Sequence, residues 1–166
     1  MSYKEKLNKI KTFIFDVDGV LTDGTLILHP SGEQIRTMNS KDGMAIRIAI
    51  KQGFHIAIIS GGKSEGVRKR FKYLGISDVY LGCDDKKDAL MDLKHIYNLN
   101  LDQMLYMGDD LNDWEVMQEV GLSCCPNDAA TEIKETVDYV SHKLGGKGCV
   151  RDIIEQTLRV QGKWKK

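Results

Sequence analysis

The chain has 166 residues, 42% of them hydrophobic and 29% charged, with 2 Pro against 16 Gly, which is typical of a single globular domain. Its 24 basic residues balance 24 acidic ones, which disfavours a nucleic-acid partner, and no apolar segment is long enough for a signal peptide or a membrane span. We therefore expect a cytoplasmic protein without a membrane partner. The 4 Cys and 4 His lack the spacings of disulfide or zinc frameworks.

Short apolar runs alternate along the chain with segments of helical periodicity, as in α/β proteins whose parallel strands are covered on both faces. The alternation predicts a doubly wound, Rossmann-like parallel sheet in one domain that spans residues 1–166. The predicted strands are 12–17, 54–59, 78–81, 104–107 and 122–124, and the predicted helices are 41–52, 64–74, 86–97 and 112–120.

Two segments interrupt this alternation. Strand-like runs flank Pro30-Ser31-Gly32, which predicts a β-hairpin at about 25–38 that projects from the sheet. The chain from Gly145 onward opens with a glycine-rich stretch, and we expect a mobile C-terminal tail at about 145–166.

Polar side chains follow four of the predicted strands. In open α/β sheets, ligands bind outside the carboxyl ends of the strands, so the residues after each apolar run are expected to carry the chemistry. We expect them to converge on one crevice. They are Asp16 and Asp18 after the first strand, Ser60 after the second, Lys86 after the third, and Asp109, Asp110 and Asp113 after the fourth.

These residue types suit phosphoryl transfer. Crowded carboxylates repel one another, so Asp16, Asp18 and Asp109 favour a hard divalent cation, and Mg²⁺ fits best because it leaves coordination positions for phosphate and water. The ammonium of Lys86 and the hydroxyl of Ser60 can hold further phosphate oxygens. One carboxylate can then attack phosphorus, while a second donates a proton to the leaving oxygen and later deprotonates water.

The same residues lie in segments that resemble the motifs of the haloacid dehalogenase superfamily, in the family's order. The segments are Phe15-Asp16-Val17-Asp18-Gly19-Val20-Leu21-Thr22, Ile58-Ile59-Ser60-Gly61, Lys86, and Gly108-Asp109-Asp110-Leu111-Asn112-Asp113. The resemblance implies a haloacid dehalogenase-like core in which Asp16 is the nucleophile, Asp18 the general acid/base, and Ser60 and Lys86 the phosphate ligands.

The resemblance also implies a metal site. Asp16, the carbonyl of Asp18 and Asp109 correspond to the ligands of Mg²⁺. Asp110 and Asp113 correspond to supporting acidic groups.

The resemblance covers about Lys11 to Gln161 and is greatest to capless phosphatases that act on 3-deoxy-D-manno-octulosonate 8-phosphate, a phosphorylated sugar acid of lipopolysaccharide precursor synthesis. It implies that the chain has no cap domain, forms homotetramers through the hairpins, and has each active site closed by a neighbouring subunit. The segments that carry it are 20–24, 39–43 and 145–152. Candidate substrate contacts are Lys63, Arg70, Gly146 and Arg151, although Arg70 and Arg151 are equally explained as surface charges.

Three alternatives stay open. A related branch that acts on nine-carbon keto-deoxy sugar acid 9-phosphates carries Glu where this chain has Gly62, which favours the eight-carbon substrate. A signalling receiver domain also uses Mg²⁺, an acceptor Asp, a hydroxyl and a Lys, but its adjacent acidic pair lies on the first strand, whereas here it follows the fourth. A catalytically inert homologue is disfavoured because all four motifs are intact.

Within the lysine motif, only the position of Lys86 in the order of the motifs distinguishes it from Lys87.

Overall fold

A six-stranded parallel sheet forms the centre of the protein in the computed structural model, which describes residues 2–165. The strands are β1 (Thr12–Phe15), β2 (Ile27–Leu28), β3 (Gln34–Ile35), β4 (His55–Ile59), β5 (Asp78–Tyr80), β6 (Met104–Met107), β7 (Leu122–Cys125) and β8 (Tyr139–Val140). β2 and β3 form a separate hairpin, and the sheet order is β5-β4-β1-β6-β7-β8. The predicted doubly wound sheet is confirmed.

The strand order creates a crevice beside β1. This strand pairs with β4 on one side and β6 on the other, with Phe15 in register with Ile58 and Met107. The chain winds outward from β1 through β4 and β5 and then crosses back to β6. Open α/β sheets bind ligands at such a reversal, so the residues that follow β1, β4 and β6 come together where ligands are expected.

Helices cover both faces of the sheet. They are α1 (Tyr3–Leu7), α2 (Ser40–Lys51), α3 (Glu65–Leu74), α4 (Lys86–Tyr97), α5 (Trp114–Met117), α6 (Thr131–Lys134) and α7 (Cys149–Val160), with single 3₁₀ turns at Leu101–Gln103 and Leu111–Asp113. Helices α1, α2, α3 and α7 pack on one face, and α4, α5 and α6 on the other. The alternation along β1 follows this division, because Phe13 and Phe15 contact the first group and Ile14 the second.

The predicted helix at 112–120 is shorter in the structure. A 3₁₀ turn over Leu111–Asp113 leads into α5, which ends at Met117. The chain leaves the helix before Gly121, which packs so closely on Asp102 that an added Cβ would lie 2.3 Å from the Asp102 carbonyl oxygen. The sequence prediction also missed β8, α1 and α6, which are too short to show a period.

The expected mobile tail is instead largely a helix of the core. Residues 149–160 form α7, whose apolar side chains recur at helical spacing and pack against α2 and the sheet. Trp164, beyond the helix, is partly buried against the same cluster. The buried residues of α7 are Cys149, Val150, Ile153, Ile154, Thr157 and Leu158.

The β2–β3 hairpin lies between β1 and α2 in chain order. In it, Ile27 pairs with Ile35 and Leu28 pairs with Gln34. Its apolar side chains are exposed, and Leu28 is 75% accessible. In the part of the chain that is described, only this hairpin and the turn after β1 separate β1 from α2, so no cap domain is inserted there. Among residues 2–165, no helix combines the length and apolar character that crossing a membrane requires.

Candidate active site

The turn that follows β1 carries the first two acidic residues of the site. Asp16 is 4% exposed, and its Oδ1 accepts a hydrogen bond of 2.7 Å from the amide of Val17. Gly19 has a φ of +84°, and a Cβ there would lie 1.9 Å from Oδ2 of Asp109. Only glycine therefore lets the turn lie directly against Asp109. The hydroxyl of Thr22 accepts the amide of Gly19 at 3.3 Å and helps to close the turn.

Lys86 connects this turn to the acidic loop after β6. It is the first residue of α4, which begins at the capping side chain of Asp85. Its buried Nζ lies 3.0 Å from Oδ2 of Asp16 and 2.6 Å from Oδ1 of Asp113. Asp113 is itself fixed, because its Oδ1 accepts the Tyr106 hydroxyl at 2.7 Å and its Oδ2 accepts the Asp109 amide at 3.0 Å.

The cluster contains three carboxyl groups, those of Asp16, Asp109 and Asp113, and one ammonium group, that of Lys86. Burial, and then the charge of Asp113, raise the pKa of Asp16 to about 8 although Lys86 opposes this. Burial, followed by the charges of Asp113 and Asp110, raises the pKa of Asp109 to about 7. Burial lowers the pKa of Lys86, but the attraction of Asp16 and Asp113 outweighs it, so the pKa lies above its ordinary value.

The donor set fits a hard divalent cation. Carboxylate oxygens of Asp16, Asp109 and Asp113 lie within 4.8 Å of one another. Asp113 already accepts three donors, namely Lys86, Tyr106 and a backbone amide. Asp16 accepts the Val17 amide and pairs with Lys86, so the Asp109 carboxylate and the remaining lone pairs of Asp16 are the oxygens most open to an ion. Oxygen ligands and crowded negative charge are the conditions that Mg²⁺ meets.

An open crevice of about 340 Å³ lies above these groups. Ser60 follows β4 at its rim, is buried, and accepts the Gly62 amide at 3.2 Å through its Oγ. Asp110 lines the crevice and caps the following 3₁₀ turn. The lining residues are Asp16, Asp18, Gly19, Gly24, Ser60, Gly61, Gly62, Asp109, Asp110 and Asn112.

Two of the expected substrate contacts lie near the crevice. Arg70 lines a cleft of about 360 Å³ between the hairpin and α3. Lys63 lines an adjoining cleft under the hairpin and packs its aliphatic stem against Gly82. Arg36, which binds Asp18 at the edge of the crevice, lines both of these clefts.

The other two lie elsewhere. Gly146 packs behind the β1 turn, where an added Cβ would lie 2.6 Å from the amide nitrogen of Asp23. Arg151 lies on α7, with its guanidinium 5.6 Å from the ring centre of Trp164 and 3.3 Å from Glu155. Neither residue is among those that line the crevice.

Two further residues belong to the site but to no motif. Tyr106 is buried and donates to Asp113, and its polar hydroxyl in an otherwise apolar central strand is a signal that a partner is needed. Arg36 follows β3 and binds Asp18 with two hydrogen bonds. No local pattern in the sequence indicates that contact, because the two residues belong to different loops.

Comparison with known proteins identifies relatives of this chain. Residues 78–150 match the family of haloacid dehalogenase-like hydrolases. The 3-deoxy-D-manno-octulosonate 8-phosphate phosphatase of Salmonella typhi is 40% identical over 158 residues, which cover 95% of this chain and 84% of the relative. The chain belongs to this phosphatase family.

Solved structures of the family have the same fold. The 3-deoxy-D-manno-octulosonate 8-phosphate phosphatase of Yersinia pestis superposes with a TM-score of 0.94 at 36% identity, covering 96% of this chain and 86% of that one. The enzyme of Moraxella catarrhalis, in complex with a magnesium ion, a phosphate ion and a KDO molecule, gives 0.92 at 34% identity, covering 96% and 91%. Family membership confirms the resemblance to the haloacid dehalogenase superfamily and decides against a receiver domain.

Proposed function

We propose that this protein is a magnesium-dependent phosphatase that hydrolyses 3-deoxy-D-manno-octulosonate 8-phosphate to the free sugar acid and inorganic phosphate. The observation that carries the proposal is the buried Lys86 between Asp16 and Asp113, beside Asp109. This arrangement supplies a nucleophile, a cationic phosphate ligand and oxygens for a metal ion. Relatives named for the same substrate, one of them crystallised with magnesium, phosphate and the sugar acid, support the assignment.

Asp16 is the proposed nucleophile. One of its carboxylate oxygens attacks phosphorus, the bond between phosphorus and the sugar oxygen breaks, and an aspartyl phosphate forms. Asp18 donates its proton to the departing sugar oxygen. Lys86 and the hydroxyl of Ser60 hold the phosphoryl oxygens and stabilise the negative charge that builds up on them.

Water completes the reaction. Asp18, now ionised, takes a proton from a water molecule as that molecule attacks phosphorus, and the bond between phosphorus and Asp16 breaks. Inorganic phosphate leaves, Asp16 is a carboxylate again and Asp18 is protonated for the next cycle. The side chain of Asp18 is 34% exposed, so bulk water reaches the position that this step requires.

Magnesium is the proposed cofactor. Asp16, the carbonyl of Asp18 and Asp109 would hold it, and when bound it would withdraw charge from the phosphoryl oxygens and favour the ionised carboxylates. Asp110 and Asp113 are proposed as supporting groups. Asp113 acts by fixing Lys86, as its two short hydrogen bonds indicate.

The clefts under the hairpin are the proposed binding site of the sugar acid. They adjoin the crevice and contain Lys63 and Arg70, which can pair with the substrate carboxylate. Gly146 and Arg151 lie farther back, so any effect of these two residues on substrate binding is proposed to be indirect.

We also propose a homotetramer held by the hairpins, with a neighbouring subunit completing each active site. A two-stranded hairpin is not stable on its own apolar contacts, and Leu26, Ile27, Leu28 and Ile35 are exposed. Light scattering on the purified protein tests this proposal. A tetramer that dissociates in Leu28→Asp supports it, and a wild-type monomer at micromolar concentration contradicts it.

A cytoplasmic location is proposed because Cys83, Cys124, Cys125 and Cys149 are free thiols, and the last three are buried. Such thiols persist in a reducing compartment.

Substrate competition tests the catalytic proposal. The purified protein is assayed with Mg²⁺ on the eight-carbon acid phosphate, its nine-carbon homologue and p-nitrophenyl phosphate. We expect kcat/KM to be at least about 10²-fold higher for the eight-carbon substrate than for p-nitrophenyl phosphate, because two desolvated charged contacts are worth this much. Preference for the nine-carbon homologue, or full activity in excess EDTA, contradicts the proposal.

A further inference from the structure

Arg36 forms a two-point ion pair with Asp18. Its Nε donates to Oδ1 of Asp18 at 2.6 Å and its Nη2 donates to Oδ2 at 3.0 Å. Such parallel hydrogen bonds fix the orientation of a carboxylate as well as its position. The side chain of Arg36 is only 4% exposed, whereas that of Asp18 is 34% exposed, so the pair is enclosed on the side of the arginine and reached by water on the side of the carboxylate.

The loop after β4 leaves space for this contact. A Cβ on Gly62 would lie 3.0 Å from Nη2 of Arg36, 3.5 Å from Oδ2 of Asp18 and 3.6 Å from Oγ of Ser60. Any side chain at this position would therefore crowd the guanidinium. The absence of a side chain at Gly62 lets a residue of the hairpin reach the edge of the phosphate site.

The hairpin also holds the other side of the guanidinium. Nη1 of Arg36 donates to the carbonyl of Gln34 at 2.9 Å, and Nη2 lies 3.4 Å from the Gln34 side-chain oxygen. Arg36 is thus held at both ends, by the hairpin strand and by Asp18. Arg36 also lines the cleft between the hairpin and α3.

We propose that Arg36 is a positioning residue that orients the Asp18 carboxyl group toward the leaving-group oxygen, so that the hairpin contributes to proton transfer within its own subunit. The inference rests on the proposed function, in which Asp18 is the acid/base. Each carboxylate oxygen offers more than one lone pair, so a face of Oδ2 stays available while Arg36 binds the other. In the first step Asp18 carries its proton on the face of Oδ2 that Arg36 leaves free, and this proton moves to the sugar oxygen as the bond between phosphorus and that oxygen breaks. Arg36 itself exchanges no proton.

Three substrates separate this role from others. The eight-carbon acid phosphate and β-glycerol phosphate both release an alkoxide that must be protonated, whereas p-nitrophenyl phosphate releases a stable phenolate that needs little help. Misplacing a catalytic group costs about 10²-fold. For Arg36→Met we therefore expect kcat/KM, which reports only the steps up to departure of the leaving group, to fall about 10²-fold on both alkyl phosphates and less than about threefold on p-nitrophenyl phosphate. Arg36→Lys should restore part of the loss.

Two controls belong to the experiment. Arg68→Met removes an exposed arginine from α3 and should leave all three rates unchanged. In the Asp18→Asn background, Arg36→Met should have no additional effect on β-glycerol phosphate, because the carboxyl group that it orients is gone. If Arg36→Met does not fold, Gly62→Ala shifts the guanidinium, because its Cβ would lie 3.0 Å from Nη2, and it should give the same substrate pattern with smaller losses.

The outcomes distinguish the possible roles. Equal loss of kcat/KM on all three substrates means that Arg36 is structural or binds phosphate, and it overturns the proposal. Loss on the eight-carbon substrate alone means that Arg36 binds the sugar acid. No loss on any substrate means that Arg36 does not contribute to the reaction. Both results also overturn the proposal. If the wild-type protein fails to prefer the eight-carbon substrate, the proposed function fails, but the contrast between β-glycerol phosphate and p-nitrophenyl phosphate still tests Arg36.

Discussion

Replacing Lys86 with Met tests the charge balance of the site. The substitution keeps the length of the side chain but leaves the buried carboxylates of Asp16 and Asp113 without their shared ammonium, which lies 3.0 Å and 2.6 Å from them. Removing one partner of a buried ion pair costs about 3–5 kcal/mol, because the remaining charge is neither solvated nor paired. We therefore expect metal-free Lys86→Met to lose about 3 kcal/mol or more of unfolding free energy at pH 7.5.

The pH dependence of this loss has a definite sign. The folded variant can relieve its unpaired charge only by taking up a proton that the folded wild type, with Lys86 in place, does not hold. Its stability relative to wild type should then recover as the pH falls, by up to about 1.4 kcal/mol per pH unit. Urea denaturation in EDTA at pH 7.5 and pH 5.5 measures both values. Phosphatase activity should fall by about 10²-fold or more, because the variant lacks a cationic phosphate ligand.

Lys87→Met is the matched control. Lys87 is the next residue, its side chain is 44% exposed, and it forms a surface ion pair with Glu119. Surface pairs contribute about 0–1 kcal/mol, so this variant should retain both stability and activity. If Lys86→Met and Lys87→Met differ by less than about 1 kcal/mol at pH 7.5, the reasoning about the buried cluster is wrong. Loss of activity in Lys87→Met would reverse the assignment of the lysine motif.

Three further predictions concern other groups. Asp16→Asn should abolish turnover but keep the circular dichroism spectrum of the wild type, and near-normal activity would exclude a covalent intermediate on Asp16. Activity should require Mg²⁺ and be inhibited by Ca²⁺, whose larger coordination shell disturbs the in-line geometry, and Asp109→Ala should resemble EDTA treatment in the same assay. Burial raises the pKa of Asp42 from 3.8 to about 6, so its charge destabilises the fold as the pH rises through this range. Asp42→Asn should therefore add up to about 3 kcal/mol to the unfolding free energy at pH 8 and nothing below pH 4, and equal gains at both pH values would contradict this.

Much of the fold could be predicted from the sequence because the apolar residues of its long helices and strands follow a clear pattern. The central strands are continuous apolar runs, and α2, α3 and α4 lie within a residue or so of their predicted bounds. The two-residue strand β8 has no period to detect. Helix α7 does have one, but the glycines before it suggested a tail, although its apolar face packs in the core. A truncation that removes residues 145–166 would therefore take α7 out of the core and unfold the protein. The function of this segment is better tested by point substitutions.

The site could be predicted only where it depends on strand order. Parallel strands place the residues after β1, β4 and β6 at one edge, and the structure brings Asp16, Ser60 and Asp109 to one crevice there. Their catalytic roles remain predictions. The contact between Arg36 and Asp18 depends instead on how the hairpin lies over α3, which no local pattern determines.

The same arrangement that destabilises the metal-free site prepares it for its proposed reaction. Three carboxylates share one ammonium in a buried cluster, and burial raises the pKa of both Asp16 and Asp109 above the ordinary range. Carboxyl groups crowded around one ammonium ionise when a divalent cation binds between them, and this binding stabilises the folded state by mass action. Asp113 stays out of this exchange, because Lys86, Tyr106 and the Asp109 amide already occupy its oxygens. The fold thus uses Asp113 to orient the lysine and leaves Asp109 to an ion, while Asp16 lies between the two, because Lys86 and the Val17 amide contact it but do not use all of its lone pairs.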